Sequence, residues 1–221
     1  MVDFVSGENY CLTDLQEIVR ILRSPEGCPW DKEQTHESVR SALLEEGLEA
    51  IDAIERSDDA ALCEELGDVL LQVLFHTQIA LERSAFTLDD VINGISRKLV
   101  YRHPHVFGDT QADSSEQVLK NWESLKQTEK HFSTRTEALE AVPVSFPALL
   151  RADKLVSRAA KAGYSQPAEP LGEDAVGRAL MDIVRRARAG HAEPELALAG
   201  ECKRFIREFE AWERAQAGTG Q

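Results

Sequence analysis

The amino-acid sequence predicts an all-α fold, a helical bundle whose helices are joined by short loops. Apolar residues recur at helical spacing along most of the chain, and no segment shows the alternation that is typical of a strand. Thr13, Thr35 and Thr87 stand where helices can be capped, and Pro104 disfavours a helical conformation at His103. The expected helices cover about residues 13–24, 35–56, 57–83, 87–103, 115 onward, 148–162, 172–190 and 193–216.

Composition narrows the class of protein. The chain has 221 residues, 43% of them hydrophobic, and a formal net charge of −14, which argues against a nucleic-acid partner. No apolar stretch approaches the roughly 20 residues of a spanning helix, and the N-terminus lacks a signal pattern, so we expect no membrane partner and a cytoplasmic location. The four cysteines form no CxxC pair, which disfavours a zinc site or a disulfide framework.

The helical pattern lapses between about His131 and Phe146, where Pro143 interrupts it. We therefore predict a larger first domain over residues 1–130, a linker over 131–146 and a smaller helical domain over 147–221.

Two pairs of acidic residues mark the candidate metal site. Glu46 and Glu49 lie three residues apart on one expected helix, and Glu65 and Asp68 lie three apart on the next. Helical periodicity puts each pair on an apolar stripe. Burying unpaired carboxylates costs several kcal/mol each, so cations should neutralise them. Oxygen ligands suit Mg²⁺, with Mn²⁺ as a possible substitute, whereas buried salt bridges are the alternative. The stripes comprise Val39, Ala42, Leu43, Ala50 and Ala53, and Leu62, Val69, Gln72 and Ile79.

Basic and aromatic residues follow the acidic pairs. Lys98 and Arg102 form an i, i+4 pair on the stripe of Val91 and Ile95, and Trp122 and Lys126 repeat this spacing. The cations would either neutralise the carboxylates or hold the oxygens of a polyphosphate bridged to metal ions. Trp122 is either a core residue or a surface on which a base stacks.

These motifs together resemble the MazG family of nucleoside triphosphate pyrophosphohydrolases, over about residues 12–130. Three segments carry the resemblance: the loop Gly27-Cys28-Pro29-Trp30-Asp31-Lys32-Glu33-Gln34-Thr35, the acidic pattern from Glu45 to Asp68, and Arg102-His103-Pro104-His105-Val106-Phe107. Trp122 and Lys126 are similar to the family's substrate-side pair.

The resemblance implies an enzyme that hydrolyses nucleoside triphosphates to the monophosphate and pyrophosphate, and a bundle completed by a homodimer. It implies metal ligands at Glu46, Glu49, Glu65 and Asp68, and Lys98 and Arg102 as further catalytic residues. The same two cations would bind the substrate together with Trp30, His103, Trp122 and Lys126. For His103 and His105, a role as ordinary loop residues is an equally good interpretation. Glu49 or Glu45 would accept the proton of the attacking water.

The C-terminal part resembles a truncated, degenerate second copy of the domain. Its entry, from Phe146 to Tyr164, follows the family pattern, but Ala175 stands where Glu65 would be matched and Arg178 where Asp68 would be. Matching Arg204 to Lys98 puts Glu208 at the position of Arg102. Two rival functions stay open: a narrower pyrophosphatase acting on dUTP, dCTP or a phosphoribosyl nucleotide, and a non-catalytic helical interaction or regulatory module.

Overall fold

A computed structural model describes residues 4, 7–112, 114–130 and 132–218, except for the side chains of 119, 120, 123, 124, 126–128 and 130. No strand occurs among these residues, so the predicted all-α fold is confirmed. The helices are α1 (Leu12–Leu22), α2 (Pro29–Glu33), α3 (His36–Glu55), α4 (Asp59–Glu82), α5 (Leu88–Arg102), α6 (Pro104–Phe107), α7 (Ser115–Lys130), α8 (Arg135–Glu140), α9 (Ala148–Lys161), α10 (Glu173–Ala189) and α11 (Pro194–Gly218).

Side-chain caps set several of the helix starts. The hydroxyl of Thr35 accepts a hydrogen bond from the backbone N–H of Ser38 at 3.3 Å, and Thr87 caps α5 in the same way. The expected cap of the first helix was wrong. Helix α1 begins before Thr13, because the Asp14 carboxylate accepts from the backbone N–H of Cys11 at 2.7 Å. The short helices α2, α6 and α8 were not predicted, since one or two turns show no periodicity.

The chain forms two compact units, Met1–Val118 and Leu119–Gln221, that divide within α7. The segment expected to link two domains contains α8, and its Leu139 and Val142 belong to the core of the second unit. Within this segment, residues 135–140 are therefore helical. The predicted domain boundaries, which concern the two copies of a repeated domain, stay a prediction.

The first unit is built around the hairpin of α3 and α4, and α1 packs against α4. A turn at Arg56–Asp58 joins the two long helices, with Ser57 in the left-handed region at φ 54°. Its core is small and lies toward the open end of the hairpin: Val19, Val39, Leu74, Phe75 and Ile79, with Leu15, Leu71 and Leu88 packed against it.

Much of the apolar surface of the first unit stays exposed in the single chain. The second apolar stripe of α3, formed by Leu44, Leu48 and Ile51, is 52–64% exposed. Helix α5 has no fully buried residue, and its stripe residues Val91 and Ile95 are exposed as well. A monomer would therefore leave a broad apolar surface in water.

The second unit packs α8, α9 and α11 around a core of its own, and α10 contacts α11. Gly163, at φ 91°, ends α9 as predicted, and the following Tyr164 packs its ring among three aromatic rings of α11. The hydrophobic core of this unit is formed by Leu139, Val142, Leu155, Ala159, Cys202 and Phe209. In the described part of the chain, no helix is both long and apolar enough to cross a membrane.

Candidate metal and nucleotide site

The α3–α4 hairpin brings three of the four predicted metal ligands together. One carboxylate oxygen from each of Glu46, Glu49 and Glu65 lies within 4.8 Å of the other two. Asp68 stands one turn beyond Glu65 on α4, and it is close enough for its charge to act on both Glu46 and Glu65. Two helices therefore present acidic pairs to the same place, as the i, i+3 spacing predicts.

Mutual repulsion is visible in the proton affinities of this group. Burial raises the pKa of Glu46 above its ordinary value, and the charges of Asp68, Glu49 and Glu45 raise it further. Burial likewise raises the pKa of Glu65, followed by repulsion from Glu49 and other carboxylates nearby. Both shifts mean that the ionised cluster is unfavourable without a compensating positive charge.

The carboxylates lie at the edge of the hairpin and not inside a core, which corrects the prediction that they interrupt buried stripes. Glu49 is exposed, and Glu46, Glu65 and Asp68 are half-buried. On the same stripe of α3, Val39, Ala50 and Ala53 are buried, but Leu43 is 43% exposed. Two packed helices cover only a narrow strip of each other, so longer side chains beside the contact line reach solvent.

Among the described residues, salt bridges do not neutralise the cluster. Within the part of the chain that the structure describes, no Lys or Arg forms an ion pair with Glu46, Glu49, Glu65 or Asp68. Lys98 is exposed and Arg102, the last residue of α5, is half-buried. The salt-bridge alternative for the acidic pairs therefore finds no support among the described residues.

The remaining predicted substrate residues lie outside the carboxylate cluster. Trp30 is on α2 and is 63% exposed. Because Glu46 stands ten residues into α3, it is about 15 Å along the helix axis from the end of α3 that follows α2. Trp122 is half-buried in the second unit, and the side chain of Lys126 lies outside the described residues.

The two loop histidines lie at the junction of α5 and α6. Nδ1 of His103 is 2.6 Å from the backbone carbonyl oxygen of Leu99, so one ring nitrogen of His103 donates within its own helix end. Nδ1 of His105 is buried without a hydrogen-bond partner in the described structure.

The structure also gives a role to Arg23, which the sequence analysis did not single out. Its side chain is almost fully buried and joins α1 to α4 and to the segment around α2. A signal was present in the sequence, because Arg23 follows Val19 by four residues on the apolar stripe of α1. A cation at such a position needs fixed partners.

The hairpin presents a group of ligands that offer only oxygen atoms, and burial and neighbouring carboxylates raise the pKa of two of them, Glu46 and Glu65. Such a group fits a hard divalent cation. An acidic protein that binds such ions can bind a phosphorylated ligand, since the ions reverse the local sign of charge. The geometry therefore fits a site for a metal ion and a phosphorylated substrate.

Comparison with known proteins agrees with a site for a metal ion and a phosphorylated substrate. Residues 34–107, which include the whole hairpin, match the MazG nucleotide pyrophosphohydrolase domain. The chain is 40% identical over 221 residues to the nucleoside triphosphate pyrophosphohydrolase/pyrophosphatase MazG of Thermotoga maritima, covering 90% of this chain and 84% of that protein. It is 51% identical over 140 residues to YabN of Bacillus subtilis, covering 63% of this chain but only 28% of that protein.

A solved structure, the mazG-related protein from Thermotoga maritima, is 31% identical and gives a TM-score of 0.45 over 52% of this chain and 99% of that one. The domain match includes every carboxylate of the cluster, and the long Thermotoga relative extends the similarity through both units. The chain therefore belongs to the MazG family of nucleotide pyrophosphohydrolases.

Proposed function

We propose that this protein hydrolyses nucleoside triphosphates to nucleoside monophosphate and pyrophosphate with Mg²⁺ as cofactor. The observation that carries the proposal is the meeting of Glu46, Glu49 and Glu65 within 4.8 Å, without a described ion pair to neutralise them. Membership of a pyrophosphohydrolase family supplies the class of reaction. A cytoplasmic location stays a prediction from the sequence.

The donor set fits Mg²⁺, with Mn²⁺ as a substitute. Glu46, Glu49, Glu65 and Asp68 offer carboxylate oxygens only, which hard cations prefer over softer metals. Burial and like charges raise the pKa values of Glu46 and Glu65, and a bound cation would compensate the charge that both effects make unfavourable. When bound, the ions would neutralise the triphosphate and lower the pKa of a coordinated water.

The chain's own residues supply the other functions of the site. Lys98 and Arg102 hold the oxygens of the departing pyrophosphate, Lys98 as a point charge and Arg102 as a planar fork. Glu49 or Glu45 accepts the proton of the water that attacks the α-phosphorus.

Aromatic and further polar side chains would bind the rest of the nucleotide. Trp30 binds the base by stacking, since an aromatic ring offers an apolar face to any base, and Trp122 is a further substrate-binding residue. Lys126 and His103 contact phosphate oxygens. In this proposal residues 147–221 are a degenerate second copy of the domain that has lost its own metal ligands.

We also propose that the protein is a homodimer. The exposed stripe of Leu44, Leu48 and Ile51 lies on α3, the helix that carries two of the metal ligands. Covering this stripe with a second copy would remove apolar surface from water next to the site. Light scattering during gel filtration should give twice the monomer mass for the wild type. A stable monomer at micromolar concentration would contradict the dimer.

The narrower pyrophosphatase remains the second enzymatic candidate, and the relative rates with dUTP, dCTP and the other nucleotides decide it. The non-catalytic module is disfavoured by the family match and by the three clustered carboxylates. A module of that kind should gain no thermal stability from Mg²⁺ plus a nucleotide.

Metal binding tests the proposed site directly. Titration with Mn²⁺, followed by electron paramagnetic resonance, should show binding to the wild type and a loss of at least about tenfold in affinity in Glu46→Gln. Glu55→Gln is the matched control, because Glu55 is exposed at the end of α3 and lies outside the cluster. Equal affinity in Glu46→Gln and wild type would mean that the ion binds elsewhere.

A further inference from the structure

Trp30 is an exposed aromatic residue on a segment that is fixed by the buried side chain of Arg23 and the half-buried side chain of Gln34. We propose that Arg23 and Gln34 are positioning residues that hold Trp30 as a platform for the nucleotide base. This inference rests on the proposed function. It means that Arg23 and Gln34, which lie outside the reacting centre, contribute to substrate affinity.

Arg23 fixes the segment from the side of the core. Its Nη1 donates to the backbone carbonyl oxygens of Asp31 and Gln34, which lie on either side of the C-terminal end of α2. The other edge of the guanidinium binds Glu82 on α4 through two hydrogen bonds of 3.0 and 2.8 Å. The guanidinium carbon also lies 5.1 Å from the ring centroid of Phe75.

These contacts involve two edges of the guanidinium and one of its faces, and the side chain is only 4% exposed. The bidentate pair with Glu82 satisfies the charge, and the two carbonyl bonds transmit the position of α4 to α2. The Arg23 guanidinium also lowers the pKa of Glu82, which favours the ionised carboxylate that accepts these hydrogen bonds. Lysine would keep the charge at this position but lacks the planar fork.

Gln34 fixes Trp30 from the opposite side. Its side-chain amide donates to the backbone carbonyl oxygen of Trp30 at 2.9 Å, and its side-chain oxygen accepts from the hydroxyl of Ser38 at 2.7 Å. Ser38 is in turn part of the cap of α3, where its backbone N–H donates to Thr35. The backbone of Trp30 is therefore tied to the first turn of α3.

The entry to the segment is equally constrained. A Cβ on Gly27 would lie 2.1 Å from the carbonyl oxygen of Ile21, so this position has room for glycine alone. The next residue, Cys28, donates its backbone N–H to the carbonyl oxygen of Leu22 at 2.8 Å. The backbone before and after Trp30 is thus held by α1, α3 and α4, while the ring itself is 63% exposed.

A preorganised platform lowers the entropy lost when a ligand binds, so its effect should fall on affinity. Trp30 is separated from the carboxylate cluster along α3, and stacking there acts equally on bound substrate and transition state. Loss of the platform should therefore raise KM and leave kcat nearly unchanged.

A double-mutant cycle on KM tests this proposal in the full-length protein. Trp30→Ala should raise KM for the best nucleotide about fivefold or more, as expected for loss of one stacked base. Gln34→Ala and Arg23→Lys should each raise KM about threefold, near the value of one neutral hydrogen bond. In the Trp30→Ala background both substitutions should change KM less than about twofold, because their effect passes through Trp30.

Gln16→Ala serves as the matched control, since Gln16 is exposed on α1. Gln34→Ala keeps the test independent of the core should Arg23→Lys fold poorly. Additive effects in the cycle, a fall in kcat without a rise in KM, or an unchanged KM in Trp30→Ala would each overturn the proposal. If the wild type hydrolyses no nucleotide, the proposed function is refuted separately. The same cycle is then measured on the Kd of a nucleotide. Absence of nucleotide binding would overturn the role proposed for Trp30 as well.

Discussion

Acidic residues are used in opposite ways in the two units of this protein. In the second unit, Glu213 accepts hydrogen bonds from the backbone N–H of Arg135 at 2.7 Å and from the backbone and hydroxyl of Thr136. Glu195 there accepts from the first N–H of α9. In the first unit, Glu46 and Glu65 face other carboxylates and have no ion-pair partner among the described residues.

The proton affinities of the two groups show the same contrast. Burial raises the pKa of Glu213, but hydrogen bonds from the side chain of Thr136 and from backbone N–H groups outweigh it and leave the pKa below its ordinary value. The pKa values of Glu46 and Glu65 are raised. In the second unit Glu213 stabilises the fold, whereas the group around Glu46 and Glu65 in the first unit is repulsive and would become favourable with a ligand of opposite charge.

The largest expected effect is on activity. Glu65→Gln should reduce kcat/KM by about 100-fold or more, because removing a direct metal ligand should cost at least as much as losing a group that orients one. In the absence of metal, the same variant should melt no lower than the wild type, since a repulsive charge is gone. Glu64→Gln, on the neighbouring exposed residue, should keep wild-type activity. Full activity in Glu65→Gln would contradict a metal-binding role for Glu65 in the first unit.

A second variant tests the stabilising role of acids in the other unit. Glu213→Gln should lower the free energy of unfolding by about 1–3 kcal/mol, because three donors lose a charged acceptor. The specific activity of the folded fraction should be unchanged. Glu210→Gln removes only an exposed ion pair with Arg214 and should cost less than about 1 kcal/mol. Chemical denaturation measures both, and equal costs would show that Glu213 is an ordinary surface residue.

A smaller effect is expected from an acid of the first unit that does have a partner. Asp58 caps α4 by accepting from the backbone N–H of Ala61 at 3.1 Å. Asp58→Ala should therefore cost about 1 kcal/mol of stability. Its Mn²⁺ affinity and turnover should match the wild type, since only the cap is lost. Weaker metal binding in this variant would mean that the helix start and the cluster are coupled.

The smallest expected effect is the pH dependence of stability, which should have opposite signs for Glu65→Gln and Glu213→Gln. Because the pKa of Glu65 is raised in the folded state, this residue contributes stability below pH 4.5 that is lost as the pH rises through the folded-state pKa. The stability of Glu65→Gln relative to the metal-free wild type should therefore increase toward pH 7. The lowered pKa of Glu213 contributes stability above pH 4.5 that is lost on acidification, so the deficit of Glu213→Gln should shrink below that pH. Melting temperatures between pH 4 and 7.5 would show whether the two trends diverge; parallel trends would contradict the contrast.

Local rules predicted much of this fold. The caps at Thr35 and Thr87 and the glycine end of α9 depend on neighbouring residues, and the structure has them where the pattern indicates. The meeting of Glu46, Glu49 and Glu65 also followed from spacing, since two amphipathic helices in a hairpin turn their facing stripes together.

Features that depend on long-range packing could not be predicted in this way. The bidentate pair of Arg23 with Glu82 joins residues 59 positions apart, and no periodicity reports such a contact. The edge position of the carboxylates depends on how much of each helix its neighbour covers. Helix α8 is held by Glu213 of α11, so its six residues gain stability from a distant element.

Product analysis by ion-exchange chromatography tests the central claim most directly. The full-length protein would be incubated with each of the eight common nucleoside and deoxynucleoside triphosphates, with and without Mg²⁺, beside Glu46→Gln. We expect monophosphate and pyrophosphate from the wild type only with the metal, and neither product from the variant. Diphosphate and orthophosphate would place the attack at the γ-phosphorus and contradict the proposed reaction, and equal turnover by Glu46→Gln would contradict the assigned site.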